Sequence, residues 1–307
     1  MEYQVWLNGE YIPRSEAKLS FSDRGFRVSD VIFDTSRTFN GSVFRLRDHI
    51  DRLSRSLQYL RIDPGMTMEE MEKLTLDVVK RNESIREPGD DYFITQIITR
   101  GRGRRVTDAR EPTVALWIDP ISWSDYAPLY ESGAHLSISK ARAYSPDQVD
   151  PKIKHFNRLN FVLAELEATD VDPDAFGLLL DRDGNIAEVV NGGNVFIMTN
   201  GVLRTPSDRN ILQGVSRMTA LELAKQLGIP TSEEDLQPYD LYTADEAFLT
   251  NSDHCILPVG RVDNRSIGKE VPGPVTNQLL AAWSEMVGVD IVGQVINRAK
   301  VEASRAG

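Results

Sequence analysis

Five times in 307 residues the chain carries Asn-Gly or Asp-Gly beside a short apolar run: Asn8-Gly9, Asn40-Gly41, Asp183-Gly184, Asn191-Gly192 and Asn200-Gly201. Both positions of such a pair tolerate positive φ, which the tight turn between antiparallel strands demands, so each marks a hairpin. The last three separate the runs 176–180, 186–190, 195–198 and 202–203, a spacing that predicts an antiparallel meander. Helical spacing interrupts the strands. Ile50, Leu53, Leu57 and Leu60 share one face of a helix over 47–62, and Thr67 with Glu70 forms a capping box that opens a second through Met71, Leu74 and Val78. Further helices are expected over 157–168, over 215–227, stopped by Gly228 and Pro230, and over 274–287. The sum is an α+β chain of two domains: a small N-terminal α/β domain at 1–120, a connection at 121–131 where periodicity disappears, and a larger C-terminal domain at 132–307.

Charge and cysteine content narrow the function classes. With 35 Lys and Arg against 46 Asp and Glu, the net charge of −11 repels a phosphate backbone, so no nucleic-acid partner is expected. Charges interrupt every apolar run of the N-terminus, and no uncharged run elsewhere has the length of a membrane span, so no signal and no membrane partner are expected. The single cysteine, Cys255, cannot make an intramolecular disulfide, and a cytoplasmic location follows as the expectation.

Some motifs promise chemistry that their spacing withholds. Asp181-Arg182-Asp183-Gly184-Asn185 begins like a calcium loop, but its glycine is fourth rather than sixth, and a hairpin turn is the better reading. His254 and Cys255 are adjacent, and neighbours on a strand point to opposite faces, which disfavours a thiol with its base. His49, His135 and His155 lack metal-ligand spacing, so no catalytic metal is expected.

Four segments carry more information together than apart. Lys154 stands just ahead of an expected helix in a chain with 9 lysines against 26 arginines, at a place where the helix dipole disfavours a cation. Glu188 interrupts the apolar strand Ile186-Ala187-Glu188-Val189-Val190, where an unpaired charge would be costly. Leu212-Gln213-Gly214-Val215-Ser216-Arg217 opens a helix with a glycine and a hydroxyl, which presents backbone N–H groups to an anion. Phe248-Leu249-Thr250-Asn251-Ser252-Asp253 ends a strand in hydroxyl-bearing loop residues. A lysine, a buried carboxylate and two anion cradles describe a pyridoxal 5'-phosphate pocket.

With these segments, Ser29-Asp30-Val31-Ile32-Phe33-Asp34, Arg45-Leu46-Arg47-Asp48-His49-Ile50-Asp51-Arg52-Leu53, Ile98-Thr99-Arg100-Gly101 and Val271-Pro272-Gly273-Pro274-Val275-Thr276, the chain resembles the class IV, fold-type IV pyridoxal-phosphate aminotransferases over nearly its whole length. That group holds the branched-chain and D-amino-acid aminotransferases and the (R)-selective amine transaminases, and the last motif is most similar to the D-amino-acid and (R)-amine branch. The resemblance implies a two-domain fold whose larger C-terminal domain is β-barrel-like and binds the cofactor. It implies Lys154 as the catalytic Schiff-base lysine that shuttles the proton, and Glu188 as partner of the pyridine nitrogen. It implies Arg52, Val215, Ser216 and Ser252 at the phosphate, and a homodimer. Position on the apolar stripe alone would turn Arg52 to solvent.

Three features depart from the family pattern. Glu188 and Asn194 are six residues apart where relatives show five, Leu159 stands where branched-chain enzymes have a tyrosine, and Asp253 replaces a small uncharged residue. For substrate, Phe33, Thr35 and Arg37 alternate along one strand face, and Arg105, in the loop Arg100-Gly101-Arg102-Gly103-Arg104-Arg105, matches a carboxylate-binding arginine of the D-amino-acid enzymes. The expected reaction moves an amino group from a D-amino acid or (R)-primary amine to an α-keto acid, pyruvate or 2-oxoglutarate. The alternatives are a branched-chain L-amino-acid aminotransferase and a noncatalytic relative that binds a ligand or only dimerises.

Overall fold

The computed structural model describes residues 2–190 and 193–306, so the turn expected at Asn191-Gly192 lies outside the described residues. The chain divides into two compact units, Met1–Ile121 with Ile153–Asn157, and Ser122–Lys152 with Arg158–Gly307.

The first unit runs β1 (Gln4–Leu7), β2 (Glu10–Pro13), α1 (Arg24–Val28), β3 (Val31–Phe39), β4 (Ser42–Val43), α2 (Leu46–Leu60), α3 (Met68–Asn82), β5 (Tyr92–Thr99) and β6 (Val114–Pro120). Its strands form one antiparallel sheet ordered β2-β1-β6-β5-β3-β4. At the turns Asn8-Gly9 and Asn40-Gly41 every φ lies between +49° and +105°, as the sequence required. The stripe of α2, Ile50, Leu53 and Leu57, packs with Met71 and Val78 of α3 and with Ile32, Ile94, Ile98 and Leu116 of the sheet. The capping box of α3 is complete: Thr67 Oγ1 accepts from Glu70 N at 3.2 Å, and Glu70 Oε2 accepts from Thr67 N at 2.7 Å.

The second unit runs α4 (Trp123–Tyr126), α5 (Leu129–Ser132), β7 (Ala134–Arg142), α6 (Leu159–Val171), β8 (Phe176–Leu180), β9 (Ile186–Val189), β10 (Gly193–Thr199), β11 (Val202–Pro206), α7 (Val215–Gln226), β12 (Thr231–Glu234), α8 (Pro238–Tyr242), β13 (Glu246–Asn251), β14 (Cys255–Val262), β15 (Arg265–Ser266), α9 (Pro274–Val287) and α10 (Ile291–Ala306). The expected meander is there, β8 through β11 pairing antiparallel in chain order. What the turn pattern did not announce are the parallel joins of β7 with β8 and with β14, and of β11 with β12. A parallel pair needs a long crossover, and here α6 lies between β7 and β8 and α7 between β11 and β12. Because β9 pairs β8 on one side and β10 on the other, the strands β10-β13-β14-β7-β8-β9 close into a barrel. The calcium-like motif is a hairpin turn, with Asp181 Oδ1 accepting from Asp183 N and Asn185 N at 2.9 Å each.

The motif Pro272-Gly273-Pro274 opens α9, and the buried Glu246 carboxylate accepts there from Val275 N at 3.0 Å and from Thr276 N and Oγ1 at 2.9 Å each. A Cβ on Gly273 would lie 2.2 Å from that carboxyl carbon, so only glycine lets the carboxylate reach the helix start. No single helix among the described residues is long and apolar enough to cross a membrane.

Thr67→Ala is expected to lower stability by about 1 kcal/mol, with Thr67→Ser close to wild type. Urea unfolding followed by far-ultraviolet circular dichroism measures the difference.

Candidate active site

In the first unit, Lys154 is not at a helix start. The helix α6 begins five residues later, and Lys154 lies in an extended stretch laid against β3, where its carbonyl accepts from Phe33 N at 3.0 Å and His155 bridges Ile32. The N–H of Lys154 donates to Ser56 Oγ of α2 at 3.2 Å. Its side chain turns over the ring of Phe33, Nζ standing 4.5 Å from the centroid, and that ring stacks on Phe156 at 4.0 Å and 11°. The amine thus sits against an aromatic wall that disfavours a charge less than aliphatic packing would.

Arg52 is 5% exposed rather than solvent-facing, which corrects the stripe-based expectation. Its Nε and Nη2 donate to Asp34 Oδ2 and Oδ1 at 2.8 and 2.7 Å, a two-bond fork on a carboxylate with no solvent exposure. His49 Nδ1 meets Asp34 Oδ1 at 2.7 Å, and Thr35 N donates to the same oxygen at 2.8 Å. Burial opposes ionisation of Asp34, but Arg52 and His49 outweigh it and hold the carboxyl far below the usual range. Burial also pushes His49 below its ordinary value against the pull of Asp34, with Arg52 and Lys154 adding to the depression. An ionised Asp34 beside a neutral imidazole assigns the ring proton to Nδ1, which donates it. The residues His49, Arg52 and Ser56 form a polar row beside the apolar stripe of α2, and neither His49 nor Asp34 was singled out from sequence.

The other candidates on β3 are where alternation puts them. Thr35 Oγ1 lies 3.3 Å from Thr95 Oγ1, and the buried guanidinium of Arg37 stands 4.2 Å over Phe39 while Nε donates to Thr38 O at 3.2 Å. Arg105 is exposed, in a loop fastened by the Arg102–Arg110 bridge, the Arg102–Glu111 ion pair and an Arg24 bond to Arg104 O.

In the second unit, Glu188 and Asn194 are directly paired across β9 and β10, so their side chains project from the same face. Together they grip one residue on both sides: Glu188 Oε1 accepts from Leu212 N at 2.6 Å, and Asn194 Nδ2 donates to Leu212 O at 3.1 Å. This segment leads into α7, whose N-cap is Gly214 and whose first turn holds Val215 and Ser216 with no side-chain cap bond. A Cβ on Gly214 would stand 2.2 Å from Asn194 Oδ1, so a side chain there would push the Asn194 amide off its bond to Leu212 O. Arg158, at the N-cap of α6, lies over Phe161 at 4.7 Å; burial lowers its pKa and the Glu188 carboxylate opposes that.

Ser252 lies in the turn between β13 and β14, tied by Asn251 Oδ1, which accepts from Asp253 N and His254 N at 2.8 and 3.0 Å. Asp253 is turned to Tyr126, whose hydroxyl donates to Oδ2 at 3.2 Å; burial and that carboxylate raise the phenol's pKa. Opposite strand faces do not explain His254 and Cys255, since His254 is in the turn and Cys255 starts β14 at φ +61°; both are buried.

The folded pKa of His49 is lowered, so its contribution to stability is present above the unfolded value near 6.5 and is lost as pH falls below it. Urea unfolding at pH 7.5 and 5.5 is expected to show a loss of up to about 1.4 kcal/mol per pH unit that His49→Gln reduces. Gly214→Ala is expected to lower affinity for an anion at the start of α7, read by phosphate titration.

Residues 31–262 match the family described as amino-transferase class IV. A Methanocaldococcus jannaschii protein, to which branched-chain-amino-acid aminotransferase activity has been attributed, is 36% identical over 290 residues, covering 92% of this chain and 96% of its own. The D-alanine aminotransferase of Bacillus licheniformis is 29% identical, over 92% and 97% of the two chains. The crystal structure of Escherichia coli branched-chain amino acid aminotransferase superposes with a TM-score of 0.87 at 27% identity, over 94% and 95%. The chain belongs to the class IV aminotransferases, and it is a pyridoxal-phosphate-dependent aminotransferase of fold type IV.

Proposed function

We propose that this aminotransferase takes its amino group from a D-amino acid or an (R)-primary amine and passes it to an α-keto acid such as pyruvate or 2-oxoglutarate. The observation that carries the reading is the aromatic wall at Lys154, where Phe33 and Phe156 stack and Nζ stands over Phe33. An apolar flank beside the reactive amine suits a donor that turns an uncharged substituent toward it. The similarity of residues 271–276 to the D-amino-acid and (R)-amine branch supports the same choice.

The residues present fit the cofactor. Lys154 is the amine that attaches it, and the first turn of α7, kept bare by the contact of Gly214 with Asn194, is built as an anion cradle. In this reading the phosphate is held by Arg52, by the backbone of Val215, by the backbone and hydroxyl of Ser216, and by the hydroxyl of Ser252. Bound pyridoxal phosphate supplies an electron sink for the pair left when the donor's Cα–H bond breaks. Glu188 holds the proton on the pyridine nitrogen, while Leu212 N–H fixes the carboxylate through Oε1. Lys154 Nζ, once released by the incoming amine, would be the base that takes the proton from the donor's Cα and the acid that gives it back. Phe33 lines the donor side, and Arg37 or Arg105 takes the carboxylate of the keto acid.

A branched-chain L-amino-acid donor is the second reading, favoured by the 36% identity to the Methanocaldococcus jannaschii relative. Visible absorbance of the purified holoenzyme, followed without acceptor, separates them. D-alanine or (R)-1-phenylethylamine is expected to bleach the band at a concentration where L-leucine does not, and Lys154→Ala should show no band. Faster bleaching by L-leucine would give the reaction to the branched-chain class.

The acting form in this proposal is a homodimer in the cytoplasm. The helix α6 is apolar on both sides: Phe161, Ala164 and Ala168 are buried, while Leu159, Val162, Leu163 and Leu166 stand 46–69% exposed at helical spacing. A contiguous apolar stripe left exposed on a helix is normally covered, and for a chain of net charge −11 such a stripe is the surface that can meet its own copy without repulsion. Leu163→Glu with Leu166→Glu is expected to shift the protein from dimer to monomer in sedimentation velocity.

A further inference from the structure

We propose that Asp34 is a positioning residue for the cofactor phosphate: it fixes the guanidinium of Arg52 in the one orientation that serves the phosphate, and it holds that guanidinium in register with Lys154. The inference rests on the reading that Arg52 binds the phosphate.

Arg52 and Asp34 are 5% and 0% exposed, and a charge at that depth requires a partner. The fork from Nε and Nη2 to the two oxygens of Asp34 sets both the plane and the rotation of the guanidinium, so Nη1 points in a direction dictated by β3 rather than by the long side chain on α2. Asp34 itself is over-determined, because Oδ1 also takes Thr35 N and His49 Nδ1.

The same two elements hold the lysine. Phe33, the neighbour of Asp34, donates its N–H to Lys154 O, and Ser56, one turn beyond Arg52, accepts Lys154 N–H while its own hydroxyl donates to Arg52 O at 3.1 Å. The backbone of Lys154 and the guanidinium of Arg52 are therefore held by adjacent residues of one β3–α2 joint, and the Asp34 fork spans that joint.

Charge and position predict opposite signs. Asp34 balances the charge of Arg52, so its loss as a mere charge would leave the site more positive and tighten phosphate binding. Its loss as a positioning residue would let the guanidinium swing and weaken it. Dissociation constants of pyridoxal phosphate and of pyridoxal, which lacks the phosphate, are measured by absorbance for wild type, Asp34→Asn and Asp34→Glu. Asp34→Asn is expected to weaken pyridoxal phosphate about 10- to 100-fold, the range of a lost charge-assisted bond, and to leave pyridoxal within about twofold. Asp34→Glu keeps the charge and displaces the fork by one methylene, so it should show the same selective loss even if the asparagine variant does not fold. Tighter or unchanged binding of pyridoxal phosphate, or equal losses for both compounds, would overturn the proposal. Arg52→Ala is the separate control: equal losses there would remove Arg52 from the phosphate and sink the underlying reading instead.

Discussion

Strand β9 is four residues long and hydrogen-bonded on both sides, and the second unit depends on that double pairing. Without the bonds to β10 the meander would end in an open edge, and Glu188, in the middle of β9, would lie on it. Closure buries the strand and puts Glu188 directly opposite Asn194. The pair then has one residue between them to hold, Leu212, and by binding both its N–H and its C=O they fix where α7 begins. The barrel, the buried acid and the helix start are consequences of one closure.

Three buried carboxylates show how the fold handles an anion away from water. Asp34 is neutralised by a guanidinium and braced by an imidazole, Glu188 holds a loop peptide with Arg158 as the nearby cation, and Glu246 occupies the start of α9. In each case the desolvation is offset by charge-assisted bonds in fixed directions, so the anion also becomes a positional constraint. None of the three ties is local in sequence, the shortest spanning 15 residues and the longest 30.

That distance marks what the sequence could tell. The Asn-Gly turns, the α2 stripe and the Thr67 capping box were legible because their physics is contained in a few neighbouring residues. The crossovers were not, since parallel pairing leaves no turn signature. Lys154 was singled out as standing ahead of a helix, but that helix starts five residues later, and a stretch laid against β3 holds the lysine. Glu188 was noticed as a carboxylate inside an apolar strand, and Val31-Ile32-Phe33-Asp34 carries the same signal, so Asp34 could have been found by the same rule. Arg52 was hidden because its partner lies 18 residues back, on a strand that no helical stripe reports. The turning of Asp253 toward Tyr126, 127 residues away, had no sequence signal at all.

The Glu246 anchor gives the far end of the chain a say in a distant loop. Glu246 is the first residue of β13, and β13 runs directly into the Asn251 turn that holds Ser252. Helix α9 supplies three of the hydrogen bonds that make a buried anion tolerable at that position. Removing or fusing the C-terminal helices would therefore act on β13 through an exposed electrostatic debt rather than through lost contacts at the surface, and a C-terminal tag belongs beyond α10 rather than in place of it.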